Sequence, residues 1–136
     1  LVHDYQSRLS PYVKASHIEL KVDASGRDKR TSQKAIDPIY KKSTGDFVIV
    51  LDERGFSFSS TDFASKLKII LEDPRIKTLK LVIGPPYGFD DVSLKSSDMR
   101  WSLSPLTLPS DVAWLITWEQ LYRAFSILNG SSYHHE

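Results

Sequence analysis

Phe47-Val48-Ile49-Val50-Leu51 is an unbroken apolar run, closed by Gly45 on one side and Gly55 on the other. A strand with one wet face alternates apolar and polar residues. A run without alternation predicts a strand covered on both faces, as in a parallel sheet. Downstream, Ser59 or Ser60 caps a helix over Thr61–Leu71, with Asp62 at its positive end, and Pro74 prevents its continuation. Leu79–Ile83 is a second buried strand running into Gly84-Pro85-Pro86-Tyr87-Gly88, a turn that no regular element could contain. Val92–Asp98 reads as a short helix and Met99–Leu103 as a short strand. Ser110 then caps a long helix to about Leu128, ended by Asn129-Gly130 in a left-handed stop. Upstream, Leu1–Leu9 reads as the end of a helix stopped by Pro11. His17–Val22 alternates as a half-buried strand, residues 23–28 form a Ser-Gly loop, and Lys29–Lys42 is weakly helical.

Strands that alternate with helices predict an α/β fold, a mainly parallel sheet with helices on both faces. Ligands of such sheets bind at the carboxyl ends of the strands. Three loops follow strands here: Asp52–Gly55, Gly84–Gly88 and Ser104–Pro109. If the strands are neighbours, these loops converge on one crevice.

The last helix is apolar around most of its circumference through Val112, Leu115, Trp118, Leu121, Tyr122, Phe125 and Leu128. A narrower stripe holds Ala113, Thr117, Gln120 and Ala124. A helix of this kind is buried on two sides. One small domain offers one side, so a partner subunit is expected on the other; a central helix within a three-layer domain is the alternative. Glu119 and Arg123, four apart, read either as a surface pair or as a buried functional arginine.

The 136 residues suffice for one domain with one core. The absence of cysteine excludes disulfides and thiolate metal sites. No histidine shows ligand spacing with a carboxylate partner, so no metal is expected. No apolar run is long enough to span a bilayer, so no membrane partner is expected. The chain opens at Leu1, and Leu1–Leu9 contains no signal-peptide core. Net charge is +1 but uneven: residues 1–45 carry nine Lys/Arg against five Asp/Glu, concentrated in residues 25–42. That flank reads as a solvated surface or as a phosphate-contacting arm for RNA.

Five blocks in order resemble the RlmH family of SPOUT-class methyltransferases. They are Val50-Leu51-Asp52-Glu53-Arg54-Gly55, Ile83-Gly84-Pro85-Pro86-Tyr87-Gly88-Phe89, Ser102-Leu103-Ser104-Pro105-Leu106-Thr107-Leu108-Pro109, Glu119-Gln120-Leu121-Tyr122-Arg123-Ala124 and Tyr133-His134-His135-Glu136. The resemblance runs over residues 1–136 and is weak between 22 and 42; the family's first strand has no counterpart in this sequence. It implies a single SPOUT domain with a C-terminal trefoil knot, dimeric with itself or a paralogue. It also implies methylation of a pseudouridine of large-subunit ribosomal RNA, with S-adenosyl-L-methionine as cofactor. The compartment implied is the cytoplasm of a bacterium, or a mitochondrion or chloroplast of a eukaryote.

By the same resemblance, Leu51, Gly84, Pro85, Gly88 and Ser104 through Pro109 (Pro105, Leu106, Thr107 and Leu108 between them) would hold the cofactor. His134, Tyr133 and Arg123 would serve the substrate, with Glu136 a further candidate base. Three positions depart from the family pattern: Pro85 replaces its second glycine, and Ser110 and Trp114 replace a histidine and an arginine. Proline lacks an N–H, and one basic and one potentially basic side chain are lost. A second reading therefore stands beside the enzyme, a SPOUT homologue that binds RNA as a ribosome assembly factor with impaired catalysis. A nucleotide- or small-molecule-binding α/β domain is a third.

Overall fold

The computed structural model describes residues 1–19, 42–84, 89 and 91–135. Its elements are α1 (Val2–Leu9), β1 (Asp46–Ser57), α2 (Ser60–Glu72), β2 (Thr78–Ile83), α3 (Asp91–Ser96), β3 (Met99–Ser102) and α4 (Ser110–Leu128). The three strands form one sheet in the order β2-β1-β3, parallel throughout. The apolar run Phe47–Leu51 is thus the central strand.

Both faces of β1 are covered, which is why its sequence does not alternate in polarity. Ile49 points into a core with Leu9, Phe63, Leu67, Ile70, Trp101, Trp118, Leu121 and Phe125, contributed by α1, α2, β3 and α4. Val48 and Val50 point the other way, against Val82, Phe89 and Leu94. The Phe63 ring stacks on Trp101 with centroids 4.1 Å apart. Helices therefore lie on both faces, as expected.

The strand starts are pinned by backbone and carboxylate. Gly45, at φ +91, turns its carbonyl to accept from Lys77 and Thr78, which sets Asp46 opposite Thr78. Asp98 accepts from the Val48 amide at 2.7 Å and returns its own amide to the Val48 carbonyl at 2.9 Å, which starts β3 beside β1. Lys80, the one charge in β2, is met by Asp46 at 2.9 Å. That contact holds the Asp46 carboxyl below its ordinary range.

Ser59 caps α2, its side chain accepting from the Asp62 amide. α4 differs from expectation at its start. Its cap residue is Pro109, without a side-chain bond, and Ser110 is the first helical residue. Pro109 sits extended there because its fixed φ suits the approach to a helix. The end is as read, with Gly130 at φ +70.

The upstream strand is not formed where it is described. Residues 13–19 carry no regular structure. His17 is instead packed against Trp114, with centroids 4.3 Å apart, and accepts from the Trp118 indole at 3.3 Å. The remainder of that strand, residues 20–22, and the weak helix over residues 29–41 lie outside the described residues.

α1 and α2 both pack on α4, and every residue from Ala113 to Leu128 is buried or half-buried within one chain. The stripe of small residues is part of that contact: Ala113, Thr117 and Ala124 are buried. Thr117 satisfies its hydroxyl on the Ala113 carbonyl at 2.7 Å.

Candidate functional site

The first strand-end loop is an excursion rather than a strand end. β1 pairs with β3 through Leu51, leaves the ladder over Asp52–Gly55, and rejoins it at Phe56, so Trp101 faces both Leu51 and Phe56. Rejoining requires Gly55. A Cβ there would meet the Arg100 carbonyl carbon at 2.7 Å and the Trp101 amide nitrogen at 2.9 Å. Asp52 braces the excursion, accepting from the Arg54 amide at 3.0 Å and from its guanidinium at 3.1 and 3.2 Å. Burial opposes the Asp52 charge, but the Arg54 bonds outweigh it and lower its pKa.

The third loop is held by hydroxyls. Ser102 donates to the Ser104 carbonyl, and Ser104 accepts from the Leu106 amide, both at 3.0 Å. Thr107 donates to Glu53 at 2.8 Å and ties this loop to the first. Between them, Gly84 lies under the Phe89 ring, which a Cβ would meet at 2.8 Å.

These loops converge. Leu51, Gly84, Ser104, Leu106, Thr107, Leu108 and Pro109 line one cavity, together with Asp52, Glu53, Arg54 and Ser110. Pro105 is exposed and stands outside its wall. Pro85 and Gly88 lie outside the described residues. The cavity measures about 1790 Å³, because it continues along the outer edge of β2 to residues 14–19 and Trp114. Only its upper part, at the carboxyl ends of the strands, resembles a cleft for a nucleoside-sized ligand.

Arg123, Tyr133 and His134 form a second cluster, away from that lining. The Arg123 guanidinium meets Glu119 at 2.7 Å through Nη2 and 2.9 Å through Nε. It lies 4.6 Å from the centre of the Tyr133 ring, and its Nη1 stands 3.0 Å from His134 Nδ1. The Tyr133 hydroxyl donates to the same Glu119 oxygen at 3.0 Å. Burial, then hydrogen bonds with Tyr5 and Glu119, push the Tyr133 pKa well above the ordinary phenol range, so it remains a neutral donor. Burial works against the Arg123 charge, but Glu119 more than offsets it and raises its pKa. The pair that the sequence left as either surface or buried is thus half-buried and bonded.

Sequence reasoning missed two residues that shape these sites. Glu119 was read only as one half of an ion pair, although it joins Arg123 and Tyr133 and accepts from Gln120 at 2.7 Å. His17 was assigned to a strand, although it fills the space beside Trp114, where the resembled family has an arginine. The Glu119–Arg123 spacing is local, but no local spacing marks the contact of Glu119 with Tyr133 or of His17 with Trp114, because each joins separate segments of the chain.

Three parallel strands whose carboxyl ends, among the described residues, line one cleft define an α/β protein with a strand-end crevice. The family described as Predicted SPOUT methyltransferase matches residues 1–134, and the chain belongs to it. The chain is 39% identical over 133 residues to "Ribosomal RNA large subunit methyltransferase H" of Solidesulfovibrio magneticus, covering 96% of this chain and 85% of that one. It is 40% identical over 136 residues to the protein of the same name from Maridesulfovibrio salexigens, with the same coverage. It is 37% identical over 141 residues to that of Flavobacterium johnsoniae, covering 100% of this chain and 88% of the relative.

Proposed function

We propose that this chain is an S-adenosyl-L-methionine-dependent methyltransferase of large-subunit ribosomal RNA that modifies N3 of a pseudouridine. In this reading, residues 1–136 act as one SPOUT domain with the C-terminal segment threaded as a trefoil knot, and two copies pair to complete the site. The observation that carries it is the single cleft lined by Leu51, Gly84, Ser104 and Leu106–Pro109 in a chain of this family.

The cleft residues fit the cofactor's chemistry. Leu51 offers an apolar surface for a nucleoside ring, and the Ser104–Pro109 turn offers backbone groups at close range. Glu53, beside the Asp52–Arg54 pair, would offer a carboxylate to a cationic sulfonium. When bound, the cofactor supplies an electrophilic methyl group. Transfer forms the N3–CH3 bond, breaks the S–CH3 bond and releases the N3 proton to solvent. The chain's own part is orientation and electrostatics. By its sequence, Pro85 leaves residues 84–88 one amide donor short of the family pattern, so a Pro85→Gly variant should bind the cofactor more tightly.

Pairing of two copies is supported by the separation of the two clusters. Arg123 is 13 residues beyond Ser110, about 20 Å along the axis of α4. A second copy can bring its tail to the cleft of the first. Leu106, in the cleft wall, and Val112, in the first turn of α4, are exposed apolar residues that such a copy would cover. The basic residues 25–42 would contact RNA phosphates. Such an enzyme works wherever its ribosomes are, in a bacterial cytoplasm or a eukaryotic organelle. Among the described residues, no helix is long and apolar enough to cross a membrane.

Calorimetric titration with S-adenosyl-L-methionine, followed by transfer of a labelled methyl group to unmodified large subunits, tests the proposal. Binding and transfer are expected, with RNA affinity falling as salt rises. A folded protein that binds RNA but not the cofactor would overturn it in favour of an assembly factor. A monomer by light scattering would overturn the pairing.

A further inference from the structure

The contact between Arg123 and His134 constrains more than position. A guanidinium carries only donors. Its Nη1 stands 3.0 Å from His134 Nδ1, and an Nδ1–H would aim one donor at another. The imidazole nitrogen at that contact must therefore be the acceptor, and the ring's proton must be on Nε2.

The guanidinium is itself held. Glu119 takes its Nε and Nη2 in a fork at 2.9 and 2.7 Å, and the Tyr133 ring covers it at 4.6 Å. Tyr133 is fixed in turn by its hydroxyl on Glu119 and by its edge-on contact with Tyr122, 4.7 Å between centroids. Gln120, bonded to the second Glu119 oxygen, is anchored by Ser60 at 2.7 Å. Arg123 thus presents Nη1 to His134 because Nε and Nη2 are turned to Glu119 and its face is covered.

We propose that Glu119, acting through Arg123, is a positioning residue that fixes His134 as the Nε2–H tautomer, so that His134 serves the methyl transfer as a hydrogen-bond donor and not as a base. This rests on the function proposed above. The chemistry it fits is the imide edge of the target base, where N3 lies between two carbonyl groups. As N3 gives up its proton to solvent and forms its bond to the methyl carbon, negative charge spreads onto those carbonyl oxygens. A donor aimed at one of them stabilises that charge; a ring whose basic nitrogen is occupied by Arg123 does not accept the proton. The assignment concerns which nitrogen carries the proton, whatever acceptor Nε2–H meets in the free protein.

Two measurements test it. Long-range proton–nitrogen correlation spectra of the 15N-labelled full chain, with His134 assigned by its loss in His134→Gln, should show Nδ1 unprotonated and Nε2 protonated. The preference should disappear in Arg123→Met and weaken in Glu119→Gln. A protonated Nδ1 in the wild type, or an unchanged pattern in Arg123→Met, overturns the proposal. In transfer assays, His134→Leu should lose on the order of a hundredfold to a thousandfold in kcat, the cost of one oriented donor. His134→Gln, which keeps an N–H donor and no base, should lose no more than about tenfold, on the scale of a conserved donor held slightly off its geometry. Equal loss in both overturns the donor role. A wild-type protein that transfers no methyl group overturns the function, and the spectra still decide the tautomer.

Discussion

At the cleft, three strand ends and their turns bring backbone close to backbone; at the tail, one helix face and a terminal segment meet through charged and aromatic side chains. Gly55 is pressed against the peptide between Arg100 and Trp101, and nothing larger fits without moving β3. Glu119, Arg123, Tyr133 and His134 are joined by bonds that leave the backbone of α4 as it would be in any helix. The first region depends on the ladder of the sheet and is as stable as the sheet. The second is centred on one carboxylate, and its loss is expected to leave the fold in place. Under the proposed function, the difference would suit a division of labour, with a rigid wall for a cofactor and a separable group for a substrate.

That contrast can be broken most forcefully at Gly55. Gly55→Ala places a methyl group within 2.7 Å of the Arg100 carbonyl carbon. The strain should cost about 1–3 kcal/mol in denaturant unfolding. Cofactor affinity should fall with it, because Asp52, Glu53 and Arg54, just before Gly55, and Trp101 are part of the cleft wall. The His134 nitrogen signals should not change. A variant as stable as the wild type would show that β3 yields easily, and the cleft would then be less rigid than the contact implies.

At the tail, Glu119→Ala strips partners from the Arg123 guanidinium and the Tyr133 hydroxyl, both half-buried. The expected loss is about 1–2 kcal/mol, at the scale of one or two part-buried hydrogen bonds. Limited proteolysis should release residues beyond Asn129 faster, while titration of the cofactor into the cleft should be unaffected. A fall in cofactor affinity in the unpaired chain would mean that the two regions are coupled within one copy.

The same contrast explains what could be read from the sequence. The cleft was legible because its makers are local: an apolar run without alternation, turns with glycine and proline, and loops at the ends of successive strands. Leu51, Gly84 and Thr107 could be grouped because parallel strands put their carboxyl ends together. The detour at Asp52–Gly55 was not legible, since the return of Phe56 to β3 depends on a contact made 45 residues later, with Trp101. The tail cluster was half legible. Tyr133 and His134 stood out by resemblance, but their attachment to Glu119 and Arg123 depends on the chain reversing at Gly130, and a periodic pattern does not encode where such a segment lies. Helix periodicity predicted that α4 is buried widely, and the small-residue stripe is part of that burial through Ala113, Thr117 and Ala124.

A smaller effect sharpens the cleft side. Thr107→Val keeps the shape and removes the donor to Glu53. Because the contact is exposed, its loss should be worth about 1 kcal/mol or less, up to about a fivefold drop in cofactor affinity. The change should come from a looser Ser104–Pro109 turn, so unfolding midpoints should hardly move. An equal loss in stability would tie this loop to the sheet instead.

The smallest expected effect lies in neither region and serves to calibrate both. After α2, Asp73 accepts from the Arg75 amide at 2.9 Å and from its guanidinium at 2.8 and 3.0 Å, which closes the turn around Pro74. These bonds, the side-chain one foremost, hold the Asp73 pKa down at about 2, against 3.8 for the free group. A depressed carboxyl pKa adds stability that is present in full above the unfolded value and is lost as pH falls through the folded one. The stability gap between wild type and Asp73→Asn should therefore be constant above about pH 5 and close between about pH 4 and pH 2. Cofactor affinity and the His134 tautomer should be the same in both proteins at neutral pH. A gap that persists at pH 2 would show that Asp73 acts through its turn geometry alone, and that an exposed charge contributes less here than the two built clusters do.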